Sequence, residues 1–183
     1  MTHPNTFSNV LKYYLGGHLK TAQHLAAHEG WSACHARCQQ DSTAVMWAAT
    51  GGHKEILQWL ILEQECDVNL QNKVGRTALM FAAKYGHSHC LRWMVEKCKA
   101  DIQIRALDDS DVFAWAVFGA DVETLETVAS LLAPAELHRK NKFGCTAIHW
   151  AATGGNVQVL KWLYAQGKKR NFYFHLLLFV DYY

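Results

Sequence analysis

Two imidazoles and two thiols stand at matching intervals near the start of the chain. His24 and His28 are four residues apart, and so are Cys34 and Cys38. Residues four apart share one face of a helix. Two imidazoles with two thiolates form a donor set that closes a tetrahedral zinc site. The order and intervals fit no zinc-finger pattern, so the plainer reading is a divergent structural segment with solvated histidines. No metal and no cofactor is expected. His53 follows Gly51-Gly52 and His87 follows Tyr85-Gly86. No nucleophile or carboxylate shares their spacing, so their expected work is hydrogen bonding at turns rather than proton transfer. Asp67-Val68-Asn69 supplies too few oxygens in succession for calcium and reads as a turn. No glycine-rich phosphate loop, nucleophile elbow or H-E-x-x-H helix occurs, and the chain reads as non-enzymatic.

What positions these residues is a repeated frame. TAVMWAATGGH begins at Thr43, TALMFAAKYGH at Thr77, DVFAWAVFGAD at Asp111 and TAIHWAATGGN at Thr146, at intervals of 34, 34 and 35 residues. A period of that length means stacked units, each burying its apolar face only against its neighbours. Four places into each copy stand Trp47, Phe81, Trp115 and Trp150, followed by Ala48, Ala82, Ala116 and Ala151. Sixteen places in stand Trp59, Trp93, Thr127 and Trp162, so six of the seven tryptophans fall at two positions. Each copy reads as a helix, a tight turn and a second helix. The glycine pairs end the first helix, and Ile56, Leu57, Leu60 and Ile61 show the apolar stripe of the second. The rings and alanines of the first helices are expected to be buried between successive copies. The third copy lacks the threonine, the second glycine and the histidine, so its turn is the least regular.

This pattern resembles the ankyrin repeat family, most closely at Gly75 to Gly86, GRTALMFAAKYG, with the family's D-V-N turn at Asp67-Val68-Asn69, weakened to Asp101-Ile102-Gln103 in the next unit. The resemblance implies an all-α fold, an ankyrin-type helix-turn-helix solenoid of about four repeats over residues 43–167. A degenerate N-terminal unit would occupy 1–42, because Gly16-Gly17-His18 lies 35 places before Gly51-Gly52-His53. Alanine replaces the family's helix-starting proline at Ala44, Ala78 and Ala147, and Val112 replaces it in the third copy. Proline presets φ there, whereas alanine is the better helix former, so the helices should survive. His149 resembles the histidine of the T-x-x-H motif, a scaffold role.

The family binds through its turn tips and the outer side of its first helices, which make a concave face. Carried onto this chain, the tip positions are Lys73, Val74 and Arg76, then Leu107, Asp108 and Ser110, then Lys142 and Phe143. The first-helix exits add Lys84, Tyr85, Phe118 and Thr153, with Thr50 at the equivalent place. Tyr85, Phe118 and Phe143 are aromatic where exposure is expected, and aromatic side chains are common interface anchors. Lysines and arginines lean this face positive, which suits an acidic segment of a partner protein and binding that weakens with salt.

The composition agrees with such a module. The chain has 183 residues, half of them hydrophobic, and a formal net charge of +2, too small to argue for nucleic acid. Six irregularly spaced cysteines make no disulfide framework, and Cys90, in the seam place of Ile56 and Val159, reads as a reduced core residue. A reducing cytoplasmic or nuclear location and a monomer are expected. After the basic cluster Lys168-Lys169-Arg170, the tail NFYFHLLLFVDYY is too short to cross a membrane, so no transmembrane span is expected. Residues 168–183 are open to three readings: a substitute end cap, a membrane or partner contact, or an alternative ending of a longer array. The cap is preferred, because a terminal repeat must hide its apolar side. Another reading of the whole is a regulatory segment of a larger enzyme whose catalytic part lies outside this chain.

Overall fold

The first helix of each clear repeat begins at a residue in extended conformation, and in the first and third repeats its side chain turns back on the helix start. The amide of Met46 donates to Thr43 Oγ1 at 3.2 Å, and that of Ala114 donates to Asp111 Oδ1 at 2.9 Å. Such caps satisfy amides that have no partner within the helix, each contributing about 1 kcal/mol. The computed structural model describes residues 11–28 and 33–169. Its first helices are α1 (residues 11–15), α3 (Ala44–Gly51), α5 (Ala78–Lys84), α7 (Val112–Gly119) and α9 (Ala147–Thr153). The second helices are α2 (Leu19–His28), α4 (Lys54–Gln58), α6 (Ser88–Cys98), α8 (Val122–Leu131) and α10 (Val157–Lys169). The chain continues from α4 through a π-helical turn, Trp59–Glu63. Among the described residues there is no strand.

Helices stack in two layers, α3 on α5 on α7 on α9 and α6 on α8 on α10. Ala48, Ala82, Ala116 and Ala151 are all fully buried, which is what lets adjacent first helices approach closely. The second layer contributes Leu57, Leu60, Leu91, Met94, Leu125 and Val128 to the same continuous core. Cys90 is buried there as a free thiol, and burial pushes its pKa up to about 11.

In three of the units the residue after the tight turn fastens its unit to the preceding one. His53 Nε2 donates to the Leu15 carbonyl at 2.7 Å, and His87 Nε2 donates to the Thr50 carbonyl at 2.9 Å. The histidines thus do the structural work expected of them. The first of these bonds ties the α1–α2 pair to the array in the register of the other units. In the third unit Asp121 takes the histidine's place and caps α8 through the Thr124 amide at 2.8 Å. In the fourth, Asn156 does both jobs, accepting from the Val159 amide at 3.1 Å and donating to the Ala120 carbonyl at 3.2 Å. The third turn forms without its second glycine. Ala120 itself adopts the left-handed conformation, φ 70°, at a steric cost glycine avoids.

The turn tips interlock through backbone. The amides of Lys73, Leu107 and Lys142 donate to the carbonyls of Gln40, Val74 and Asp108 at 3.2, 3.0 and 3.0 Å. Gly75 sits inside this contact with φ 79°, and a Cβ there would stand 2.6 Å from the Leu107 nitrogen. The D-x-x turns behind the second helices also form in both expected places. Asn69 N donates to Asp67 Oδ1, and Gln103 N to Asp101 Oδ1, each at 2.8 Å. A further bond from Asp101 N to Asn69 Oδ1, 2.8 Å, links the two. The tail beyond Lys169, with its proposed cap, lies outside the described residues.

Candidate functional site

A helix packed on one side leaves a stripe of residues three and four apart on the other. In α3 the buried residues are Ala44, Val45, Met46, Ala48 and Ala49, which leaves Trp47 and Thr50 outermost. The equivalent pairs are Phe81 with Lys84, Trp115 with Phe118, and Trp150 with Thr153. The first-helix rings are therefore half-buried and line the outer face of the layer, rather than lying sealed between copies as expected. Among the described residues the deeply buried tryptophan is Trp59 of the second layer, 5% exposed.

Two pockets lie along this stripe. The larger, about 260 Å³, is lined by Arg76, Lys84, Asp108, Trp115, Phe118 and Trp150, together with Ser110 and Ala114. The smaller, about 110 Å³, is lined by Ser42, Met46, Trp47, Thr50, Phe81 and Tyr85. The Phe118 ring stands edge-on to both Trp115 and Trp150, with centroids 6.3 and 6.5 Å away. The Arg76 guanidinium lies 4.4 Å from the Trp115 ring centre. The Lys84 ammonium lies 5.2, 5.3 and 5.6 Å from the rings of Tyr85, Phe118 and Trp115. Each such contact is worth about 0.5–1 kcal/mol where solvent reaches it. Among the described residues neither cation forms an ion pair.

The twelve residues expected to make contact do not form one cluster. Arg76, Lys84, Asp108, Ser110 and Phe118 converge on the larger pocket, and Tyr85 lines the smaller. Val74, Leu107 and Phe143 are exposed at the tips, Phe143 most of all at 77%. Lys73 and Lys142 are exposed beside them, and the Lys73 ammonium donates to the Gln39 carbonyl at 2.9 Å. Thr153 is exposed, and its hydroxyl donates to the His149 carbonyl at 2.8 Å. Ser110 departs from the expectation of an exposed contact. It is 3% exposed, donating to Asp108 Oδ1 at 2.6 Å and accepting from Trp115 Nε1 at 3.1 Å. It holds the indole in place and does not offer itself to a partner. The equivalent Ser42 accepts instead from Asn72 Nδ2 at 3.2 Å. The buried Nε1 of Trp47 is left without an acceptor.

The rings Trp47, Phe81, Trp115 and Trp150, which the sequence assigned to the interior, line this candidate face instead. The signal was present, since they stand three residues before the helix exits, on the same face of each helix.

The histidine and cysteine cluster takes another form. Cys34 is joined to Cys66 in a disulfide, 32 residues on, while Cys38, Cys90, Cys98 and Cys145 are free. One bridge is less than a disulfide framework, and Cys90 is free as expected, but the pairing was not foreseen and it withdraws one of the four zinc donors considered. Among the described residues no three His, Cys, Asp or Glu side chains gather as metal ligands. His149 Nδ1 lies 2.9 Å from Thr146 Oγ1 and accepts from the Thr146 amide at 3.1 Å. No helix of the described residues is long and apolar enough to cross a membrane.

Comparison with known proteins agrees with this geometry. A family model described as ankyrin repeats (3 copies) matches residues 6–106, and one described as ankyrin repeats (many copies) matches residues 115–163. No curated protein matches the chain. Stacked helix pairs, interlocked tips and two matching family models over most of the sequence lead to one conclusion: the chain belongs to the ankyrin repeat family.

Proposed function

We propose that this chain is a non-catalytic docking module that holds another protein against the outer face of its first helices and its turn tips. Ankyrin repeats are generally protein–protein interaction modules. The observation that carries the reading is the row of half-buried rings from Trp47 to Trp150, with the cations Arg76 and Lys84, unpaired among the described residues, resting on it. Aromatic and arginine side chains dominate interface energetics, single truncations often costing 2 kcal/mol or more. A preformed face adds little ordering cost on binding. The positive side chains favour an acidic partner segment, with attraction screened by salt.

The test is paired affinity capture with the full chain and a Tyr85→Ala/Phe118→Ala double variant, read by quantitative mass spectrometry. Both side chains are substantially exposed, at 48% and 43%, so the fold should survive, as a melting curve would verify. Proteins recovered by the wild type should fall about tenfold or more with the variant. Equal recovery by both proteins would remove this face from the docking reading.

A further inference from the structure

The two pockets are the same place two units apart. Ser42, Met46, Trp47 and Thr50 of the smaller correspond to Ser110, Ala114, Trp115 and Phe118 of the larger, each pair 68 residues apart. Phe81 follows the first set as Trp150 follows the second. Lys84, on the helix between the two sets, reaches rings from both sides, Tyr85 of the smaller pocket and Trp115 and Phe118 of the larger. Packed helices stand about 8–10 Å apart, so two steps along the layer span about 16–20 Å. An extended chain advances about 3.3 Å per residue and returns a side chain to the same face at every second residue. An even number of residues that covers this span is six.

The charges select among peptides. Asp108 lines the larger pocket but is engaged by the Ser110 amide at 3.1 Å and its hydroxyl at 2.6 Å. Arg76 and Lys84 meet no carboxylate within 4.0 Å among the described residues. Lys84 already occupies the aromatic seat that a partner's cation would take, so a basic segment meets repulsion. A carboxylate above Lys84 and Arg76 gains charge-assisted hydrogen bonds.

We propose that this face takes one extended acidic peptide segment, which places two large apolar side chains about six residues apart in the two pockets and a carboxylate between them on Lys84 and Arg76. This rests on the docking reading above and adds the partner's chemistry and spacing. The test is selection of a displayed library of random peptides, each of about twelve residues, on the full chain. Fluorescence anisotropy with the enriched sequence then follows.

The expected consensus has two large apolar residues about six apart with Asp or Glu between them. Phe118→Ala, Tyr85→Ala and Lys84→Met should each weaken that peptide about tenfold, and closing the anchor spacing to about four residues should do the same. A basic or single-anchor consensus, no enrichment at all, or affinity indifferent to the three substitutions overturns the proposal. Loss of whole-protein capture without any peptide enrichment overturns the linear segment and leaves the docking face standing. Capture unaffected by Tyr85→Ala/Phe118→Ala removes both.

Discussion

Gly119 ends α7 where that helix crosses the end of α5. A Cβ on Gly119 would lie 2.2 Å from the Lys84 carbonyl oxygen and 2.9 Å from that of Ala83. A carbon and a carbonyl oxygen pack at about 3.3 Å or more, so Gly119→Ala must part the two helices by about 1 Å. Both contacts are backbone, which cannot swing away as a side-chain tip does. Overpacking of this kind costs about 1–3 kcal/mol. Alanine's better helix propensity returns at most about 1 kcal/mol, and less at a helix end. The balance is a loss of about 1–2 kcal/mol, or a melting temperature about 2–8 °C lower for a chain of this size. Gly154, at the matching place in the last unit, supplies the control. Its φ is −76°, and a Cβ there would meet only carbonyls of its own preceding turn, at 3.3 and 3.8 Å. Gly154→Ala should therefore stabilise by about 0.4–1 kcal/mol through the unfolded chain. Far-UV circular dichroism melts of the three proteins decide it. Shifts of the same sign and size in both variants would refute the claim that helix spacing in this array is set by backbone contact.

Two further outcomes are expected. Burial, aided by the nearby His89 and His53, holds the His87 pKa below the usual histidine value, against the opposing effects of its bond to Thr50 and of Asp121. The unfolded chain then binds a proton more readily, so stability present above the unfolded pKa of about 6.5 is lost as pH falls through it toward the folded value. His87→Gln should flatten the decline of melting temperature between neutral and mildly acidic pH; an unchanged slope would assign the decline to other groups. Thiol titration of the denatured, unreduced protein should find the four cysteines Cys38, Cys90, Cys98 and Cys145, and all six after reduction. Reduction should lower stability by about 3–4 kcal/mol from loop entropy alone; six reactive thiols before reduction would show the bridge to be absent.

The layered fold was legible because stacking makes each unit repeat the same demands. Ala48, Ala82, Ala116 and Ala151 recur wherever first helices touch, and all four are buried. The turns were legible through Asp67 and Asp101, whose carboxylates fold back on the chain two residues ahead. The candidate face was legible only in part. Counting ring and alanine as one buried pair concealed that Trp115 points outward while Ala116 points in, a distinction the helical period carries but a repeat alignment does not. Ser110 looked like surface because its hydrogen bond to an indole five residues later leaves no composition signal. The three rings around Lys84 come from two repeats, and the Cys34–Cys66 pairing spans two units, so neither follows from local spacing.

The bonds between successive turn tips, from Lys73 to Gln40, Leu107 to Val74 and Lys142 to Asp108, join main chain to main chain. The apolar side chains of Val74, Leu107 and Phe143 take no part in these bonds, although the Lys73 ammonium adds one to the Gln39 carbonyl. A lineage can thus rewrite Val74, Leu107 or Phe143 while the scaffold beneath stays intact, provided Gly75 keeps its place.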